Sequence, residues 1–554
     1  MSLSASRFYA AMAILALAVC GLTYAHAAAL TETEQRLVHT VDEREAAALE
    51  LLERAVNINS GSYNLAGVRE VGELFAAAFR EAGLATEWID GADFDRAGHL
   101  VARYGHRGPH FVMIGHLDTV FEPDSPFQRF ERIGGNRAQG PGITDMKGGN
   151  VIILQALRAL AAVGALDEMQ VTVVLIGDEE SSGRPLALAR ADLINAAREA
   201  DIALGFEDGD GNPATAVIAR RGYTGWQLEV SGTPAHSSQI FRDDIGYGAG
   251  YELARILDGF RSQLAGEQYL TFNPGLMLAG TSIEHNPANA SGSAFGKSNV
   301  IAERAVANGD LRTLSAEQET SARARMQAIV DDHLPGTTAS LEFTEGYPPL
   351  SPSDGNRRLL ALYDQASRDL GYGAVSAVDP AAAGAADISF TAGLVDMAID
   401  GLGLMGSGGH TVEETADLST LSSQTKRVAL LMYRIVSHAT GLPGNSAAAV
   451  ILQKIKCIKH LYIDYGKLSV ITVGDRTGRV GRQDSVDCDL PERPIPPAVR
   501  GTVWTAGWCH AQCESGGGGR CLAQAPARSD LAGVACRRRV YCRWSVDLAA
   551  RGGR

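Results

Sequence analysis

Seven side chains able to bind a metal or move a proton stand at or just past the ends of apolar runs or in glycine-rich turns: His116, Asp118, Asp145, Glu179, Glu180, Glu207 and His410. No cysteine lies among them. A set built only from imidazole nitrogen and carboxylate oxygen suits hard-to-borderline divalent ions such as zinc. The carboxylates outnumber the needs of one ion. Two ions, with one carboxylate left free as a base, would make a hydrolase.

Each position has its own logic. In His116-Leu-Asp118, His116 can ligate through a neutral ring nitrogen, and Asp118 can orient the ring by accepting its other N–H. In Gly140-Pro-Gly-Ile-Thr-Asp145-Met-Lys-Gly-Gly149, the glycines let backbone pass close to an ion. Asp145 could bridge two ions, one through each oxygen, and it is also well placed to cap the helix that follows. The stretch lacks the Gly-Lys-Ser/Thr ending of a phosphate loop. Asp178-Glu179-Glu180 comes straight after an apolar run, where neighbouring acids repel and a cation would offset the cost. One Glu can then bind metal while the other takes a proton from water. Glu207 and Asp208 offer a further carboxylate, and either could serve. Gly408-Gly409-His410 presents an imidazole between glycines and solvent. Taken singly, these are turn caps, a solvated acidic loop and a loop histidine. Together they share ligand type and strand-end placement.

The elements that must position them alternate. Residues 111–115, 171–177 and 202–206 read as short buried strands, and 148–162 as a helix directly after Asp145. This predicts an α/β fold, a mostly parallel sheet flanked by helices, with ligands at the carboxyl ends of its strands. From 224 the pattern changes: strand 226–230, helix 246–264, strands 276–283 and 305–312, helix 315–333, strand 340–345. The order βαββαβ predicts an inserted ferredoxin-like lid, a four-stranded sheet with two helices on one face. Strand–helix alternation resumes near Leu359, so His410 returns to the first domain. The expected boundaries are a catalytic domain over 28–223 and 336–442, with the lid at 224–335.

A chain of 554 residues implies more than one domain, and 45% hydrophobic with 21% charged residues is ordinary for a soluble protein. A net charge of −14 argues against a nucleic-acid partner. Arg7, the apolar run 10–22 and Ala25-His26-Ala27 predict a signal peptide over 1–27. The expectation is an exported protein, periplasmic or secreted, with no stable membrane anchor once the leader is removed. Of eight cysteines, Cys20 is in the leader and the rest begin at Cys457, so residues 28–442 must rely on their core. Residues 443–554 carry 17 Lys+Arg against 9 Asp+Glu, net +8, leaving −22 for residues 1–442. With three of the five Trp and poor periodicity, this basic, Cys-containing tail reads as a disordered extension or a shifted reading frame. A disulfide-stapled module is the alternative, and Cys509-His510 with Cys513 is a loose metal pattern.

Over roughly 35–440 these motifs (Gly-His116-Leu-Asp118-Thr-Val, Gly-Ile-Thr-Asp145-Met-Lys-Gly-Gly, Gly-Asp-Glu179-Glu180 and Gly-Gly-His410) resemble the M20-like family of co-catalytic zinc peptidases that includes glutamate carboxypeptidases and aminoacylases. The resemblance implies that His116, Asp145 and Glu207 hold one zinc and Asp145, Glu180 and His410 the other. Glu179 would be the general base and Asp118 would hold His116. In the lid, Pro234-Ala-His236-Ser is similar to the family's histidine that reaches a neighbouring subunit's site and polarises the scissile carbonyl. Asn299 and Arg312 resemble the residues that grip a substrate's terminal carboxylate. A homodimer through the lid follows, acting on a small peptide or N-acyl amino acid at an amide next to a free carboxylate. Carboxypeptidase is the first expectation, with N-acyl-amino-acid deacylase or dipeptidase as alternatives. A non-catalytic exported binding protein is the reading from another class, and filled catalytic positions speak against it.

Overall fold

Three helices open the described chain: α1 (Glu32–Glu43), α2 (Glu45–Val56) and α3 (Leu65–Glu81). The first starts at a capping box, in which the Thr31 hydroxyl accepts from the Glu34 amide and the Glu34 carboxylate accepts from the Thr31 amide. The computed structural model describes residues 29–440 and two short strands, Leu461–Asp464 and Lys467–Val470. The expected leader over 1–27, and the tail's cysteines with His510, lie outside the described residues. Among the described residues no helix is long and apolar enough to cross a membrane.

The chain then runs through β1 (Ala85–Asp90), β2 (Gly98–Tyr104), β3 (His110–His116), α4 (Gly148–Ala162), β4 (Gln170–Ile176), α5 (Ala191–Glu199) and β5 (Ile202–Gly205). An insertion follows: β6 (Thr224–Gly232), α6 (Gly248–Leu264), β7 (Thr271–Gly280), β8 (Arg304–Arg312), α7 (Ala316–Asp331) and β9 (Thr337–Phe343). The first domain is completed by α8 (Asp354–Asp369), β10 (Met397–Ile399) and α9 (Ser419–Thr440).

The main sheet has the order β1-β2-β4-β3-β5-β10. Strands β4, β3, β5 and β10 are parallel, and β1 and β2 add an antiparallel edge. β3 is buried along its whole length, as a strand covered on both faces must be. Phe111 and Met113 face the core shared with Phe75 of α3, Ile153 of α4 and Leu431 of α9. Val112 and Ile114 face the other side, with Leu193 of α5. This is the expected α/β layering.

In the insertion the sheet order is β7-β8-β6-β9, antiparallel throughout. Trp226, Leu228 and Val230 of β6 share a core with Ile256 and Phe260 of α6 and Met326 and Val330 of α7. Both helices therefore cover one face. The expected end of the insertion at 335 is too early, because β9 lies beyond it and pairs with β6, carrying the insertion to Phe343. The expected strand 276–283 also divides. β7 ends at Gly280, and Ser282–Asn286 pairs instead with Ser291–Phe295 in a separate hairpin.

Candidate metal centre

His116 closes β3, Glu179 and Glu180 follow β4, and Glu207 follows β5. Parallel strands thus deliver all four to one edge of the sheet. Asp145 arrives from the turn before α4, and His410 from the loop between Gly406–Ser407 and Thr415–Asp417.

The turn carrying Asp145 is not the helix cap that its position suggested. Asp145 has φ −118° and ψ 87°, and α4 begins after Lys147 without a side-chain cap. Buried Glu414 holds the turn instead. Its carboxylate accepts from the amides of Gly142 (2.9 Å), Thr144 (2.8 Å) and Asp145 (3.2 Å) and from the Thr144 hydroxyl (3.1 Å). Gly149 lets the start of α4 abut the end of β5, since a Cβ there would stand 2.1 Å from the Phe206 carbonyl oxygen.

The side chains converge as two triads that share Asp145. His116 Nε2 lies 2.9 Å from Asp145 Oδ1 and 3.7 Å from Glu207 Oε1. His410 Nε2 lies 3.0 Å from both Asp145 Oδ2 and Glu180 Oε2. Within each triad the candidate ligand atoms all lie within 4.8 Å of one another. Each oxygen of Asp145 serves a different triad. Of the neighbours Glu207 and Asp208, Glu207 is the one that reaches His116.

Asp118 acts differently from the simple expectation. His116 Nδ1 is 3.0 Å from the Asp118 carbonyl oxygen, and the nearer carboxylate oxygen is 3.5 Å away. A carbonyl only accepts, so Nδ1 carries the proton and Nε2 is turned toward the acids. The Asp118 carboxylate accepts from Ser62 Oγ (2.6 Å) and from the amides of Glu179 (3.0 Å) and Glu180 (3.1 Å). It anchors the acidic loop at least as much as the ring.

Electrostatics favour cations here. Burial lifts the Glu180 and Glu207 carboxyls to about 7, with the charge of Asp145 adding to it in both. Burial also lifts Asp208 and Glu414 to about 7. Hydrogen bonds to Asp145 and Glu180 raise His410 to about 11. For His116, burial opposes the charge, but Glu207 and its other acidic neighbours overrule it and hold the ring well above its usual range. Without an ion, protons do the neutralising. Glu180 Oε1 is buried with no hydrogen-bond partner, an expensive state for a carboxylate oxygen unless a cation meets it. All donors are nitrogen or oxygen, which fits zinc or a similar divalent ion in each triad.

Glu179 belongs to neither triad. Burial, and next the charge of Asp387, push its carboxyl well above the usual range. A buried arginine organises the surroundings: Arg190 reaches Asp178 (2.7 Å), Asp387 (2.7 Å) and the Tyr347 hydroxyl (2.6 Å). That hydroxyl in turn lies 3.3 Å from the Glu179 carbonyl oxygen. On the far side, Asp400 accepts from the Glu207 amide (3.3 Å) and pairs with Arg220 (2.7 Å). Arg190, Asp387, Asp400 and Glu414 escaped the sequence reading as supports. Asp400 had a usable signal, since it follows the apolar run of β10 just as Glu207 follows β5.

The lid residues are not drawn into this cluster. His236 is exposed, with Nδ1 2.9 Å from Ser238 Oγ. Asn299 is exposed, and its carbonyl accepts from the Ser237 amide. Arg312 pairs with Asp310 (3.0 Å) and lies over the Tyr223 ring.

The sequence pattern of peptidase family M20/M25/M40 matches residues 112–434. Carboxypeptidase G2 of Pseudomonas sp. (strain RS-16) is 25% identical over 404 residues, spanning 72% of this chain and 91% of that protein. In fold the chain is similar to aminopeptidase PepT from Bacillus cereus ATCC 10987, with TM-score 0.56 and 17% identity over 71% of this chain and 98% of that one. It is also similar in fold to the M20 family metallo-carboxypeptidase Sso-CP2 from Sulfolobus solfataricus, with TM-score 0.52 and 15% identity over 70% and 99%. The matched stretch covers more than half of the chain and contains every candidate ligand from His116 to His410, so the protein belongs to the M20 peptidase family of metal-dependent hydrolases.

Proposed function

We propose that the protein is an exported metallocarboxypeptidase that cleaves an amide bond next to a free carboxylate, in a small peptide or N-acyl amino acid. The observation that carries this reading is the position of Glu179: an ionisable carboxyl beside two ligand triads but part of neither. Two bound divalent ions, most readily zinc, would supply Lewis acidity and a water acidic enough to ionise near neutral pH. His116, Asp145 and Glu207 would hold one, and Asp145, Glu180 and His410 the other.

Glu179 takes the proton from the attacking water and returns it to the leaving amine. Its raised proton affinity suits both halves of that task. Asp118 fixes its backbone through the Glu179 and Glu180 amides. In a homodimer joined through the lids, the exposed His236 of one copy is free to reach the site of the other and donate to the developing oxyanion. Arg312 offers a forked pair of donors for the terminal carboxylate, and Asn299 a further donor.

The test is a release assay on N-acyl amino acids, dipeptides and carboxyl-blocked versions of both, with and without chelator. Chelator-sensitive release that requires the free carboxylate supports the proposal. Preference for acetylated amino acids would make the protein a deacylase, and preference for free-amine dipeptides a dipeptidase. No release by zinc-loaded protein would overturn the assignment.

A further inference from the structure

The two chain crossings between the catalytic domain and the lid run side by side. Residues 220–223 lead out and 347–350 lead back, paired antiparallel with bridges at Arg220–Leu350 and Tyr223–Tyr347. The Tyr223 amide donates to the Tyr347 carbonyl (2.9 Å), and Arg220 and Leu350 exchange two backbone bonds (2.9 and 3.0 Å). At Gly346 a Cβ would stand 1.8 Å from the Tyr223 carbonyl oxygen, so the close approach needs glycine. Pro348 and Pro349 restrict the backbone directly after Tyr347.

This hinge reaches the catalytic groups, because Tyr347 sends its side chain back into the catalytic domain. Its hydroxyl accepts from Arg190 Nη2 (2.6 Å), lies 3.1 Å from Ser182 Oγ and donates to the Glu179 carbonyl oxygen (3.3 Å). Its ring meets Phe390 edge to face at 4.9 Å. A second tie runs the other way, from Arg184 Nη1 to the Glu345 carbonyl oxygen (3.1 Å). The loop that carries Glu179 therefore leans on the hinge near both of its ends. On the lid side, the Arg312 guanidinium lies over the Tyr223 ring at 5.0 Å from the centroid, and the Thr313 carbonyl accepts from the Gly222 amide (2.7 Å).

We propose that Tyr347 is a positioning residue for the general base, through which the hinge sets where Glu179 stands. This rests on the role given to Glu179 above. The residue assigned to the substrate's carboxylate and the residue that holds the base loop then share one two-stranded hinge. Misplacing a reacting group by a fraction of an ångström is costly, so a remote hydroxyl that fixes the base's backbone acts on kcat.

Tyr347→Phe tests this. It keeps the ring, and Arg190 Nη2 keeps the Asp178 carbonyl (3.1 Å) and the Ser182 hydroxyl (3.0 Å) as acceptors, so the fold survives. On the fastest substrate of the release panel, kcat falls by about tenfold while KM stays within about twofold. Zinc content matches the parent. In Glu179→Ala protein the same substitution moves the residual turnover by less than about twofold, because a residue acting through Glu179 has nothing left to position. In zinc-loaded protein, amide hydrogen exchange speeds up by about tenfold across residues 178–184 and is unchanged in the lid.

An unchanged kcat overturns the proposal. Loss of zinc overturns it too, since the hydroxyl would then support the metal centre and not the base. A further loss of turnover in Glu179→Ala protein means that Tyr347 acts on the substrate or on the fold at large, and exchange that is unmoved or raised throughout the chain says the same. The two readings fail separately. If Glu179→Ala loses turnover and Tyr347→Phe does not, the base assignment holds and the hinge role fails. If no substrate is cleaved but exchange rises at 178–184 alone, the hydrolase assignment fails and the hinge's hold on that loop stands.

Discussion

The two halves of the proposed machinery are held in opposite ways. In the catalytic domain the candidate acidic ligands lean on neighbours that are themselves held. Glu414 grips the Asp145 turn, Asp118 grips the Glu179–Glu180 loop, and Asp400, paired with Arg220, grips Glu207. In the lid, His236 and Asn299 lie in solvent, and Arg312 rests on Asp310 and Tyr223. Buried like charges repel strongly, so a cluster of them persists only where backbone donors and counter-charges fix every member. Groups that meet their partner only when substrate or a second subunit arrives need no such scaffold. A crowded, braced site and an open, idle one can therefore belong to one reaction.

The largest effect that sharpens this contrast should come from Glu179→Ala. Turnover falls by a factor of about 10²–10⁴, while metal content stays that of the parent protein. Near-normal turnover would remove Glu179 from the chemistry. Next come the scaffolds. Arg190→Ala strands buried Asp178 and Asp387 and should cost about 3–5 kcal/mol in urea unfolding. The exposed lid pair Arg242–Asp244 offers the control, since Arg242→Ala should cost less than about 1 kcal/mol. Equal losses would erase the distinction between the two regions.

Glu414→Gln removes acceptors from the Asp145 turn and should weaken zinc binding by about 10–100-fold in calorimetric titration. Unchanged affinity would mean that the turn holds itself. In the lid, Arg312→Ala should raise KM by about tenfold for substrates with a free carboxylate, and leave carboxyl-blocked ones little changed. A fall confined to kcat would place Arg312 elsewhere in the reaction.

The smallest effect is in the pH dependence. In the ion-free fold Glu180 and Glu207 titrate at about 7, above their ordinary 4.5. Between those values the folded state holds more protons than the unfolded chain, so stability falls as pH rises. His410, raised from 6.5 to about 11, extends the loss in the same direction. Ions take the place of these protons, so the increase in Tm on adding zinc to chelated protein should be larger at about pH 8 than at about pH 5.5. An increase independent of pH would break the link between the clustered acids and metal.

The ligand positions were legible because each one follows an apolar run or stands in a glycine-rich turn, a local signal. Their supports were not. Arg190 and Asp387 are 197 residues apart, and nothing near either residue announces the other. The lid's strands were readable as a type but not at their ends. Half-exposed alternation runs through β7 and on into Ser282–Asn286, so the break at Gly280 leaves no mark in the pattern. The role of Asp118 was visible only in part, since two of its partners are main-chain amides of a loop some sixty positions later.

Anomalous diffraction at the zinc edge, from crystals of the zinc-loaded protein, tests the central claim most directly. The expected result is two peaks per chain flanking the Asp145 carboxylate, one against His116 and Glu207, the other against Glu180 and His410. A single peak, or peaks remote from Asp145 in an active preparation, would contradict it.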